Sequence, residues 1–497
     1  MGEDHGAVFR PTFQGALKIR GMDERLTSDG GAILLREADH RLGLVESLAG
    51  KLFDPRNPEK IRYELGELLR ERVYSLALGY ATQDDVDRLA HDPAMRLACW
   101  DRQGEKVLDE RLASQPTQSR LIDTLANFAG NLAAIRDALA DWSERWLCST
   151  GSDRRAASIT VDVDSFFIAC CGDQPGVEYN GHYQDAGYHP LVASFTVGGH
   201  YDSSKEGQRL GSGFLHAVLR AGNVHTANGM IRFLQNTIAK SRRLARSFEM
   251  RLDAGFTSGA TMDYLTDEAV RFMGRLKSNA VLDRLAEPHL SRPAGRPPKE
   301  GYERVIDLGP YAAAGWRHAQ RLLLVIVDAP DSKSGQLALE PDYFFIVTNW
   351  RADERTGAQV LERYRQRGTF EDRLGEFRAA IGPKLSSPTF RENEALLLLS
   401  LLAYNLVSTL REELEAPGAC WDLQRFQTTV LKAGGRITKG SRYVFLNVAR
   451  AVVPFWQRLA QAIAAWIVPA RFRSQGARRR PITPPPRHAH LNLVLRE

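Results

Sequence analysis

Apolar residues between about residues 28 and 146 recur at helical spacing: Leu34, Leu35, Ala38 and Leu42, then Ile61, Leu65, Leu68, Leu69, Val73 and Leu76. Side chains three and four apart share one face of a helix, so the pattern predicts an all-helical front end. The period then changes. Ile159, Val161 and Val163 alternate with Thr160, Asp162 and Asp164, which predicts a half-buried strand with both aspartates on one face. After a connection containing Tyr179-Asn-Gly-His-Tyr183, Leu191 to Val197 reads as a second strand closed by Gly198-Gly199. Ala227 to Ala245 reads as an amphipathic helix, and Phe248 to Asp253 as a short strand that places Asp253 at its end.

From Val281 to Pro341 this alternation of strands and helices stops. Pro293 to Pro298 is a loop, and Arg321 to Asp328 and Tyr343 to Thr348 are strand-like. Helices return over Gln359 to Arg367, Glu371 to Ala380 and Glu392 to Leu414, before a Pro- and Arg-rich tail. The chain therefore divides into a helical region (1–150), an α/β core in two parts (151–280 and 343–415) interrupted by a β-rich insertion (281–342), and a helical C-terminal region with a basic tail (416–497).

At 497 residues the chain exceeds one typical domain and is long enough to bury a large core. A hydrophobic share of 43% and a charged share of 25% are those of a globular protein, not a disordered, fibrous or membrane one. Lys and Arg number 66 against 60 Asp and Glu, a mild lean toward a polyanionic partner. The distribution says more. Arg471, Arg473, Arg478, Arg479, Arg480 and Arg487 fall between Arg471 and His490, a stretch without acidic residues and able to follow a phosphate backbone. The five cysteines show no CxxC spacing, so neither a disulfide framework nor a zinc knuckle is expected. The N-terminus has no basic segment followed by an apolar one, and no unbroken apolar run reaches about 18 residues, so a cytoplasmic protein without membrane attachment is expected. Gly207 to Gly213 lacks a Walker lysine, and no nucleotide cofactor is expected.

Phosphodiester cleavage by divalent ions needs several carboxylates, because hard Mg²⁺ or Mn²⁺ prefers oxygen ligands. Asp164, Asp253 and Glu371 come from distant segments that end on two strands and one helix. Tyr364, Arg367, Glu371 and Arg378 stand at offsets 0, 3, 7 and 14, within one narrow sector of a continuous helix. On spacing alone that stripe reads first as a solvated helix face, and Gly368 can interrupt it. Asp372 and Glu376 point elsewhere and read as surface charges; His182 and His189 read as packing or DNA-contacting groups.

Tyr-x-x-Arg-x-x-x-Glu followed by a basic residue resembles the signature of DDE transposases of bacterial insertion sequences. Leu26 to Leu35, Gly79-Tyr80, Asp87 to Pro93, Leu112 to Thr117, Tyr179 to Tyr183, Tyr188 to Leu191 and Arg251-Leu-Asp-Ala-Gly-Phe256 extend the likeness. Together they look like the thirteen-eighty family, within the insertion-sequence-four-like group, from about residue 20 to 415. The resemblance implies a ribonuclease H-like core in which Asp164, Asp253 and Glu371 are catalytic and hold two Mg²⁺ or Mn²⁺ ions. Asp162, on the same strand face, stays an alternative ligand. Tyr364, Arg367 and Arg378 would contact DNA phosphates, with arginine at 378 where the motif more often has lysine. The resemblance further implies double-stranded DNA partners (terminal inverted repeats and target), a dimer or larger multimer on DNA, a nucleoid-associated location, and an insertion lying over the active site. A DNA-binding protein without catalysis, or a nuclease that cuts without joining, fits the same residues.

Overall fold

The computed structural model describes residues 11–14, 16–19, 23–102, 104–149, 155–198, 211–292, 301–328, 341–414, 421–469 and 472. A short strand, β1 (Arg25–Thr27), leads into the front-end helices α1 (Ala32–Leu42) and α2 (Leu44–Ala49), separated by Gly43 at a left-handed φ of 64°. α3 (Leu65–Ala77) opens with a reciprocal capping box between Glu64 and Glu67, which satisfies two N–H groups that a helix start leaves unpaired. α4 (Asp85–Leu89) and α5 (Pro93–Cys99) follow, the latter capped by Asp92, whose side chain accepts from the N–H groups of Ala94 and Met95. α6 (Gln115–Asn127) and α7 (Ala129–Cys148) complete the front end.

The centre is one eight-stranded sheet. β2 (Ala156–Ser165) is followed by a small sheet of β3 (Ile168–Ala169), β4 (Glu178–Asn180) and β5 (Asp185–Tyr188), then by β6 (Leu191–Val197) and β7 (Ser212–Val218). After α8 (Met230–Leu244) comes β8 (Ala245–Leu252), and after α9 (Gly259–Asp267) comes β9 (Arg271–Leu276). β2, β6 and β7 pair antiparallel, whereas β8 lies parallel to β2 and β9 parallel to β8, in the order β7-β6-β2-β8-β9. The apolar side of α8 (Phe233, Leu234, Ile238) covers one face together with Val161, Val163 and Met250.

The segment expected as an insertion begins with α10 (Ala280–Ala286) and forms β10 (Tyr302–Tyr311) and β11 (Gln320–Asp328), which pair with each other and then with β12 (Asp342–Thr348). β12 also pairs with β9, Phe345 opposite Leu276 and Thr348 opposite Met273. The insertion thus extends the central sheet at its edge. The Pro293–Pro298 loop lies outside the described residues.

Beyond β12 come α11 (Gly357–Arg365), α12 (Gly368–Ala380) and α13 (Phe390–Leu414). α13 is long and apolar enough to cross a membrane, yet the apolar stretch is wholly buried in the protein. It packs among α3, α6, α7 and β7, so the front-end helices share one apolar core with the C-terminal half. The region after α13, expected as helical, needs correcting. Between α14 (Leu423–Phe426) and α15 (Val453–Ala464) it carries a hairpin, β13 (Gly435–Lys439) and β14 (Val444–Val448), that pairs with β1. Ile437 and Leu446 pack on Ala94 and Leu108, while Tyr443 and Phe445 are exposed; that two-residue alternation is a strand's. Except for Phe472, the Arg-rich tail lies outside the described residues.

Candidate active site

Parallel pairing of β2 and β8 sets Asp162 beside Arg251 and Val163 beside Leu252. The next residue on each chain is an aspartate, Asp164 near the end of β2 and Asp253 just past β8, so both leave the same end of the sheet. The third segment arrives over the sheet. α11 starts with a capping box between Thr356 and Gln359 and packs Val360 and Leu361 on Met273, Leu323 and Ile346.

The helix does not continue through the motif. The N–H of Arg367 donates to Tyr364 O and that of Phe370 to Arg367 O, both at 2.9 Å. These three-residue spans tighten the chain into an elbow between α11 and α12. The expected single stripe is therefore split: Tyr364 lies on α11, Arg367 in the elbow, and Glu371 and Arg378 on α12.

The Arg367 guanidinium is the meeting point. Its Nη2 is paired with Asp164, and its Nη1 donates to Glu371 Oε1 at 3.0 Å. Asp253 is within electrostatic reach of Asp164, Arg367 and Tyr364. Burial pushes the Asp164 carboxyl up to about 6; Arg367 and the Ser165 N–H oppose the shift, and the nearby charges of Asp253 and Glu371 add to it. Burial works against a charge on Arg367, but Asp164 and Asp253 outweigh it and hold its pKa above the usual value. Burial, reinforced by Asp253 and opposed by Arg367, pushes the Tyr364 hydroxyl up to about 12.

Asp162 is in a different position from Asp164. It is fully buried, and its two carboxylate oxygens accept from Arg251 Nε at 2.7 Å and Nη2 at 2.6 Å. Arg378 donates to Phe167 O at 3.2 Å and stands over the Phe166 ring. Phe167 in turn stacks on Tyr183, with ring centres 4.9 Å apart. Gly222 holds this aromatic shelf close: a Cβ there would come within 2.2 Å of Glu178 O and 2.3 Å of Gly187 O on the small sheet. His182 and His189 flank Tyr183, and His189 is buried with its Nδ1 3.3 Å from Val224 O. Glu376, expected as a surface charge, instead accepts from Arg411 at 2.6 Å and Tyr404 at 3.2 Å, because α13 covers that side of α12.

The chain matches the family described as transposase DDE domain group 1 over residues 9–468. It belongs to that family. No match is found among curated proteins. The transposase is an enzyme of DNA cleavage and transfer with DNA as substrate, and DDE transposases generally use divalent metal ions. In kind, the three carboxylates fit such an ion, being hard oxygen donors. In spacing, no group of three His, Cys, Asp or Glu among the described residues is close enough to hold one; the Arg367 guanidinium is bonded to two of the three carboxylates. Arg251 stands in the sequence motif around Asp253 but was given no role of its own. Its position two residues before Asp253 was the available signal, since strand alternation puts it on the same face.

Proposed function

We propose that the transposase belongs to the thirteen-eighty group of bacterial insertion-sequence enzymes and cuts and rejoins DNA at Asp164, Asp253 and Glu371. The observation that carries this is that Arg367 pairs with Asp164 of β2 and Glu371 of α12, with Asp253, just past β8, within electrostatic reach. The strand order β7-β6-β2-β8-β9, three antiparallel and two parallel, supports a ribonuclease H-like core.

In this reading the three carboxylates would hold two Mg²⁺ or Mn²⁺ ions once Arg367 releases Asp164 and Glu371, and the ions would supply Lewis-acid activation of the attacking hydroxyl and stabilisation of the leaving oxygen. Asp162 serves Arg251 and not the ions. Tyr364, Arg367 and Arg378 place the phosphates beside the cleaved bond: Arg367 offers a planar fork, and Arg378 stands at the aromatic shelf. The front-end helices and the basic tail grip the terminal inverted repeats, positioning the duplex through its backbone. Excision is of the cut-and-paste kind, by a dimer or larger assembly that joins both ends in concert, in the bacterial cytoplasm at the nucleoid.

The test is cleavage and joining of a labelled duplex carrying the element's end, with Mg²⁺ or with EDTA. Asp164→Asn, Asp253→Asn and Glu371→Gln should each lower cleavage by at least about 1,000-fold while retaining the duplex within about threefold. Retention without cleavage by the unaltered protein under Mg²⁺ and Mn²⁺ would make it a DNA-binding protein; cleavage without joining would make it a nuclease.

A further inference from the structure

Directly beneath the site runs a row of buried polar groups on the sheet face that α11 covers. In the register of β2 and β8, Thr160 lies beside Glu249 and Asp162 beside Arg251. Alternation puts Asp164 and Asp253 on that same face, one rung further out. The innermost rung is tied to α11 by Arg363, which pairs with Glu249 and donates to Thr160 Oγ1 at 3.2 Å. The middle rung is tied to α11 by Arg251. Its Nε and Nη2 grip Asp162, and its Nη1 donates to Arg363 O at 3.0 Å. Arg251 is 2% exposed and Asp162 0%.

One guanidinium therefore touches all three segments that bring the catalytic carboxylates together. It belongs to β8, two residues before Asp253. It holds β2 two residues before Asp164. It holds the last turn of α11 at Arg363, just before the elbow that carries Arg367 and leads into α12 with Glu371. The backbone ladder already fixes β2 against β8. What the ladder leaves open is the height and tilt of α11 over the sheet, which the Nη1 contact fixes together with the Arg363 pair to Glu249 and the packing of Val360 and Leu361. The site reading assumed here is the three-carboxylate one.

We propose that Arg251 is a positioning residue of the transposase: by bracing Asp162 and the Arg363 carbonyl at once, it sets the distance between Glu371 and the two aspartates. A planar guanidinium can make both contacts from one rigid fork, whereas a lysine ammonium is a point charge on a flexible stem. Catalytic groups need placement to within about 0.5 Å, and a misplacement of about 1 Å can slow the chemistry about 100-fold.

Arg251→Lys keeps the buried charge opposite Asp162 and gives up the brace. With Mg²⁺ alone as probe, the concentration giving half-maximal thermal stabilisation should rise at least about tenfold, and cleavage of the labelled end should fall about 100-fold, with duplex retention within about threefold. Ile238→Val in α8, on the opposite sheet face, gives the comparison for a purely structural loss; it should leave both the Mg²⁺ midpoint and the cleavage rate where they are. If Arg251→Lys behaves as Ile238→Val does, losing melting temperature only, the proposal is overturned. Should the lysine variant fail to fold, the neutral pair Asp162→Asn with Arg251→Gln takes its place; it should show the same shifted midpoint, and an unaltered midpoint would overturn the idea equally. Asp164→Asn runs alongside. If that variant keeps the original Mg²⁺ midpoint and cleavage, the three-carboxylate site itself has failed, and the role of Arg251 fails with it.

Discussion

Glu71 lies within α3 at 1% exposure, accepting from Gln118 Nε2 at 2.8 Å and from the Ala113 N–H at 3.2 Å. Burial raises its carboxyl from 4.5 to about 8 against the pull of those two donors. Because the folded-state value is raised, its favourable contribution is full below the unfolded value and is lost as pH rises through about 8. Over that window the folded chain holds a proton that the unfolded chain has released, which weakens stability by up to about 1.4 kcal/mol per pH unit. Glu71→Gln keeps the shape and removes the proton. Its melting temperature should exceed that of the unaltered protein increasingly from pH 6 to pH 9, whereas a constant gap would show that Glu71 does not titrate in the fold. At Arg367 the issue is geometry: one guanidinium reaches both Asp164 and Glu371. Arg367→Lys should slow cleavage by about 10- to 100-fold, because an ammonium lacks the planar fork with which Arg367 would hold a phosphate; an unchanged single-turnover rate would refute that phosphate-holding role.

Among the elements, the segments that carry Asp164 and Asp253 were the most legible. Ile159, Val161 and Val163 alternate cleanly, and β6 spans Leu191–Val197, the segment that its apolar run predicts. β7 and β9 were not legible. His216 interrupts the apolar run of β7, and β9 carries Arg271, Gly274 and Arg275, so neither shows a sustained two-residue period. Hydrophobic periodicity also reports one covered face, and α12 has two. Phe370, Leu374 and Phe377 are buried, while Glu376 is held by Arg411, by Tyr404 and by the Leu423 N–H at 3.3 Å. Nothing in the pattern around 376 marks that second face, because its partners come from α13 and α14. Glu376→Ala should cost about 1–2 kcal/mol, because half-buried Arg411 loses one of its acceptors and keeps Trp421 O. Chemical denaturation would report this as a lower midpoint, with per-molecule cleavage by the folded fraction preserved.

At the scale of the whole molecule, the front-end helices share one continuous core with α13. Leu68, Leu69, Leu121, Leu139 and Trp142 are buried in the same cluster as the apolar residues of α13, and Trp142 Nε1 donates to Thr409 Oγ1 at 3.0 Å. A fragment comprising residues 1–150 should show no cooperative melting by circular dichroism, whereas the full chain should; a cooperative transition in the fragment would show an independent domain. The same arrangement sets a timetable for synthesis. α7 ends at Cys148 and α13 begins at Phe390, so, at about 5–20 residues per second, the ribosome needs roughly 12–50 s to bridge the 390 − 148 = 242 residues between them. Throughout that interval the apolar faces of α3, α6 and α7 wait for a helix not yet made, so a nascent chain arrested before α13 is a substrate for chaperones and aggregation, and only a ribosome that has read past Leu414 releases a chain able to bury them.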